Sequence, residues 1–200
     1  MCAAEAYAQQ LTVPDERGEK LRQFYLDMDV EHLWLAGQHI NWETGVADSP
    51  DATHNVKTHC SAFVAATCKR LNIYVLRPPD HAQGLLANAQ YDWLKTPEAA
   101  GKGWKAINEK DKYWTAQNYA NTGYVVIAVC KNPDKHKPGH AALVMPAKLT
   151  LSELSETGPK LIQAGSKNYN CVSLKEGFKH HITQWPENEI ALYVYSKSVF

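Results

Sequence analysis

Apolar residues recur along this chain in two rhythms, and the change between them divides it. Up to about residue 122 they fall three and four positions apart, the spacing of one helical face. Between Pro14 and about Trp34, Leu21, Phe24, Tyr25, Met28 and Leu33 line one side of an expected long helix. Pro14 suits its first position, Asp15 and Glu16 suit its first turn, and Gly37 ends the region. Gln38 to Gly45 has no clean period and reads as a loop or short extended piece. Ser49, Pro50, Asp51, Thr53, His54 and Asn55 are loop formers. They lead to a second helix beginning at Cys60, with Phe63, Val64, Thr67, Cys68 and Leu71 on its apolar face. Ile73 to Leu76 is strand-like and is stopped by Pro78-Pro79. Residues 80–122 read as a mostly helical insertion. Its first helix runs from Gln83 to Leu94 with Leu85, Leu86, Ala89, Trp93 and Leu94 as the apolar side, and a shorter helix lies around Asp111 to Ala120.

After Gly123 the rhythm becomes that of strands. Tyr124 to Val129 and His140 to Met145 are β-rich runs, and Pro159 to Ala164 holds a third. In Glu189 to Tyr195, Ile190, Leu192 and Val194 alternate with Ala191, Tyr193 and Tyr195. Gly165 to Asn170 reads as a loop. Helices first and consecutive strands afterwards predict an α+β fold with an antiparallel sheet, built as one domain over residues 1–200.

Composition narrows the function without choosing it. The 200 residues are 44% hydrophobic and 21% charged, enough for a real core without staples. Lysines and arginines equal aspartates and glutamates, so the formal net charge is zero, and no basic run offers a nucleic-acid surface. No apolar stretch reaches membrane-spanning length. Five cysteines cannot all pair within one chain. Cys68 reads as core filler; Cys130 ends a strand-like run and Cys171 lies in a loop, and either could be structural. The start Met1-Cys2-Ala3-Ala4 shows no charged region followed by an apolar one. That fits a cytoplasmic protein, or a periplasmic or secreted one whose signal has been replaced, with Cys2 as a conceivable lipid-attachment position. The second placement is the expectation.

The chemistry centres on Cys60. A cysteine in the first turn of a buried helix meets unpaired amide donors and the positive end of the helix dipole. An ordinary cysteine is only about 3% thiolate at pH 7; a helix start and a nearby imidazolium can make the thiolate dominate. His140 opens a strand beside the turn Lys137-Pro138-Gly139, where it can face a cleft, and Gln163 closes the next strand. If those strands are antiparallel neighbours, His140 and Gln163 share one sheet edge. A glutamine carbonyl can fix one imidazole nitrogen and leave the other to a thiol, which is nucleophile, base and orienting group. A zinc reading competes, because Cys130, His136 and His140 have a loosely zinc-like spacing, with His54 nearby in composition. A closed site wants four ligands, usually as two close pairs, and the second pair would have to be His59 and Cys60 or similar. No metal or other cofactor is expected. Trp42, Trp93, Trp104, Trp114 and Trp185 could line a sugar- or peptide-binding groove, although core or insertion packing accounts better for most of them.

The order of these residues resembles the papain-like cysteine peptidases of the NlpC type, with the CHAP amidases as relatives. His59-Cys60-Ser61-Ala62-Phe63 is similar to that family's Asp-Cys-Ser-Gly-hydrophobic motif. His140-Ala141-Ala142-Leu143-Val144 is similar to its His-Val-Gly-Ile-Tyr, and Ile162-Gln163-Ala164 to its Ile-His-Ala, with Gln163 in place of the third His. The matches span about a quarter of the chain, and His59 and Ala62 depart from the pattern. The resemblance implies N-terminal helices, with the nucleophile at a helix N-terminus, packed on an antiparallel sheet. It implies hydrolysis of amide bonds in peptidoglycan stem peptides through Cys60, His140 and Gln163, without cofactor and as a monomer. It implies an oxyanion site from the Cys60 amide and one upstream side chain: Gln38 first, then Asn41 or the indole of Trp42, with His59 and Ser61 beside the nucleophile as substrate contacts. Losing one such donor typically costs about 2.7–4 kcal/mol of barrier. Two other readings stand beside this one: a toxin-like amidase held in check by an inhibitor protein, and a non-catalytic or zinc-stabilised cell-wall binding module.

Overall fold

A computed structural model describes residues 11–49, 58–186 and 189–200. Its centre is a six-stranded sheet in which every neighbouring pair is antiparallel, in the order β4-β10-β5-β6-β8-β9. The strands are β4 (Trp104–Ala106), β5 (Tyr124–Cys130), β6 (His140–Val144), β8 (Lys160–Gln163), β9 (Tyr169–Ser173) and β10 (Ala191–Ser198). Two small ladders accompany it: β1 (Leu11–Thr12) with β7 (Leu149–Thr150), and β2 (His39–Ile40) with β3 (Ala47–Ser49). The helices are α1 (Glu16–Leu26), α2 (Cys60–Arg70), α3 (Leu86–Leu94), α4 (Pro97–Gly101), α5 (Lys112–Asn121), α6 (Leu151–Thr157) and α7 (Leu174–Gly177). The protein is therefore α+β. Among the described residues, no helix is long and apolar enough to cross a membrane.

The sheet has a core on each face. Val125, Ile127, Val129, Ala141, Leu143 and Ile162 pack beneath α1, α2 and α3. The residues between them, Val126, Ala128, Cys130, Ala142, Val144 and Leu161, pack with Ala116 and Ala120 of α5 and with Leu174 and Phe178. Burial on both faces explains why β5 and β6 read as unbroken apolar runs. Small side chains at Ala141 and, on the helix, at Ala62, Ala65 and Ala66 let α2 lie close to β6.

Three local expectations are corrected. The first helix begins after Pro14, because the Asp15 carboxylate accepts from Gly18 N at 2.9 Å as its N-cap, and it ends at Leu26 in a series of turns. Ile73 to Leu76 is not a strand. Its carbonyls are taken by side chains, Ile73 O by Arg77, Tyr74 O by Trp104 Nε1 and Leu76 O by Gln90 Nε2, so no ladder forms. Strand β9 begins inside the expected loop, which puts Cys171 in an exposed strand position. Helix α6 lies in the connection between β6 and β8 and is started by a capping box between Thr150 and Glu153. The segment 80–122 holds three helices but is not peripheral. It adds β4 to the sheet and α5 to one core.

Candidate functional site

Cys60 is the first residue of α2. The helix starts without a side-chain cap: Phe63 N bonds to the His59 carbonyl at 2.9 Å, and the His59 ring instead donates from Nε2 to the Gln38 carbonyl at 2.9 Å. That bond ties the chain before β2 to the start of α2. The N–H groups of Ala141, Ser61 and Cys60 itself and the Ser61 hydroxyl are directed at the sulfur. Burial nevertheless outweighs these donors and pushes the thiol up from its ordinary value. A dominant resting thiolate is thus corrected to a neutral thiol, 3% exposed, at a helix start.

His140 opens β6 directly opposite Cys130, and the pairing of Leu143 with Ile162 sets β8 antiparallel beside it. This register brings the two predicted partners together: His140 Nε2 donates to Gln163 Oε1 at 3.0 Å. The Gln163 amide in turn donates toward Gly177 O at 3.5 Å. With its Nε2 proton so held, the neutral ring carries its lone pair on Nδ1. That nitrogen has no hydrogen-bond partner among the described residues. His140 and Gln163 are 6% and 4% exposed. Burial, opposed by the Gln163 bond, pulls the imidazole below its ordinary value.

Where a cleft was expected, aromatic rings close in on His140 among the described residues. Phe178 meets the ring edge-on at 4.6 Å, and His181 stacks on it at 5.4 Å with an interplanar angle of 5°. Strand alternation is the reason. Ala141 belongs to the core under α2, whereas Phe178 belongs to the opposite core. The first peptide of β6 lies at the thiol, its Ala141 N–H pointing at the sulfur. Gly139 permits the turn into that strand, since a Cβ there would lie 2.1 Å from the Cys130 carbonyl.

The sulfur opens instead onto a cavity of about 530 Å³. One wall is Thr58, His59, Cys60 and Ser61; facing them are His39, Gln83 to Ala87 and Pro138. Of the expected neighbours of the nucleophile, His59 and Ser61 line this cavity. Gln38 contributes its carbonyl to His59 and is not a wall residue. Asn41 turns away because its Oδ1 accepts from Glu43 N and Thr44 N, closing the β2–β3 turn. Trp42 lies in a separate groove with Lys69, Tyr74, Arg77 and Asp80, its ring under the Lys69 ammonium at 5.3 Å. Sequence reasoning passed over His39, Gln83, Phe178 and His181. Gln83 stood where a helix was expected to begin, and only the fold brings it back against β2, with Nε2 bonded to Ile40 O at 3.3 Å.

Among the described residues, no three of His, Cys, Asp and Glu converge to hold a metal ion. Cys130 packs in the core and His136 sits in an exposed loop, while His140 is committed to Gln163. His54 and Cys2 lie outside the described residues. Neither a protein-family model nor a curated protein matches this chain.

Proposed function

We propose that the chain is a papain-like thiol hydrolase that cleaves amide bonds, with the stem peptides of bacterial peptidoglycan as its substrate class. One observation carries the reading: a cysteine at a helix start receives the N–H of the residue that follows a histidine, and that histidine is held through Nε2 by a buried glutamine. The three come from the helix, the strand and the neighbouring strand in the order that the sequence resemblance implies.

In this reading the Cys60 proton passes to His140 Nδ1 as the sulfur attacks the scissile carbonyl carbon. The Cys60 N–H, unpaired within the helix because it lies in the first turn, donates to the developing oxyanion. Gln83, on the facing wall, has a second amide hydrogen for the same oxygen. The imidazolium returns its proton to the leaving amine, the C–N bond breaks, and water hydrolyses the thioester. Stem peptides lie outside the cytoplasm, so the proposed place of action is periplasmic or extracellular.

Purified sacculi or synthetic stem peptides incubated with wild type and with Cys60→Ala test the reading. New amine termini should appear with wild type alone. Equal release from both proteins would remove Cys60 from the chemistry.

A further inference from the structure

A second imidazole faces the cavity that holds the thiol. His39 lies on its wall and donates from Nδ1 to the Asp48 carboxylate. Asp48 is not part of the wall, and its bond to Nδ1 leaves Nε2 as the uncommitted nitrogen of a ring that lines the cavity. With the proton on Nδ1, Nε2 carries the lone pair. It has no hydrogen-bond partner among the described residues.

The backbone around this pair is fixed from several sides. Carbonyls on both sides of His39 are held by cavity-wall side chains, Gln38 O by His59 and Ile40 O by Gln83. The ladder pairs His39 with Ser49 and Ile40 with Ala47, so Asp48 is the extra residue of a bulge. Bulges re-aim a side chain at the cost of a regular ladder bond, and here the re-aimed group is the carboxylate that orients the ring. The turn beyond is anchored to buried Trp34, whose N–H and indole donate to Gly45 O and Trp42 O at 2.9 and 3.0 Å.

We propose that His39, oriented by Asp48, is the base that activates water for hydrolysis of the acyl-enzyme formed at Cys60. The proposal rests on the reading of Cys60 as nucleophile and assigns a different residue to the second half of the reaction. Water in the cavity gives a proton to His39 Nε2 as its oxygen bonds to the thioester carbonyl carbon. The C–S bond then breaks with its electron pair on sulfur, and the imidazolium returns the proton to that sulfur. Two imidazoles thereby divide the work. His140, buried against Phe178 and His181, serves thiol deprotonation, and His39, on the cavity wall, serves water.

The test uses p-nitrophenyl acetate as a small acyl donor, with the full chain. Stopped-flow release of p-nitrophenol reads acylation as a burst of one equivalent, and the steady rate that follows reads deacylation. Absence of any burst from wild type would sink the nucleophile reading itself, separately from the role of His39. Given a burst, His39→Gln should leave its rate within about twofold and slow the steady phase by about 100-fold or more, the usual contribution of a positioned base. Acetylated Cys60 should then accumulate in the intact-mass spectrum. Asp48→Asn keeps the imidazole but loses its orienting charge, and should slow the steady phase by about tenfold with the burst intact. It also serves as the second variant should His39→Gln fold poorly. An unchanged steady phase in both variants would overturn the proposal, as would loss of the burst in a His39→Gln protein with a wild-type thermal melt.

Discussion

Burial acts on Cys60 and His140 in opposite senses, raising the thiol and lowering the imidazole, so both rest neutral. Two outcomes follow at the level of single residues. Alkylation of Cys60 by iodoacetamide should still be rising at pH 9, the ordinary thiol value, because the folded thiol titrates above it. A plateau by pH 7 would show a resting thiolate and contradict the neutral pair. The acid limb of kcat/KM reports loss of neutral His140, and in wild type it should lie below the ordinary histidine value of 6.5. Gln163→Glu places a carboxylate where Nε2 now meets an amide, which favours the imidazolium, so the limb should move to higher pH. Gln163→Leu leaves a buried N–H unpaired and should cost about 1–3 kcal/mol of stability by urea denaturation, together with catalytic rate. A limb unmoved in Gln163→Glu would separate His140 from the rate-limiting proton transfer.

Elements were legible where the sequence pattern and the tertiary partner agree. β5, β6 and β8 are apolar, short and bounded by turn residues, and their register joins His140 to Gln163 as the order of the chain suggests. The α2 start was readable from the loop formers before Cys60 and the periodicity after it. Ile73 to Leu76 misled because strand-like composition does not show where the carbonyls find donors; here Arg77, Gln90 and Trp104 supply them. The β2–β3 hairpin was the larger loss. Its cavity role depends on a bulge and on His59 and Gln83 reaching it from 21 and 43 residues away, which no local pattern records. That hairpin carries its own prediction. Gly45 has φ +74°, and a Cβ there would sit 2.4 Å from the Trp34 ring. Gly37 has φ +84° with open space around it. Gly37→Ala should cost about 1–2 kcal/mol for the left-handed backbone alone, and Gly45→Ala clearly more because a buried indole must also move. Denaturation midpoints of the two variants compare the terms. Equal losses would mean that Trp34 does not anchor the hairpin.

At the scale of the whole molecule, the sheet separates two chemical environments that meet at the start of β6. The expectation of an α+β fold with an antiparallel sheet was legible from the change of rhythm near residue 123. That both faces are covered was not, because α5 and β4 come from a segment that reads as an insertion and α7 is only four residues long. Covering the second face is what buries His140 and half-buries His181, and this makes global stability sensitive to acid. His181 is pulled down to about 4, first by burial and then by the neighbouring His140 and His180; His140 is lowered as well. The unfolded chain binds protons on both rings near the ordinary value of 6.5, whereas the folded chain resists them. Stability from this pair is therefore fully present above pH 6.5 and is lost as pH falls toward 4. Raised His32, an exposed partner of Asp29, works weakly in the opposite direction and lies far along the chain from this pair. Urea midpoints measured from pH 7.5 to pH 4 should fall steadily for wild type and fall less for His181→Gln, which removes one titrating ring while keeping a planar polar side chain. A His181→Gln profile parallel to wild type would place the acid sensitivity elsewhere, and would leave the stacked imidazoles as packing partners rather than a titrating pair.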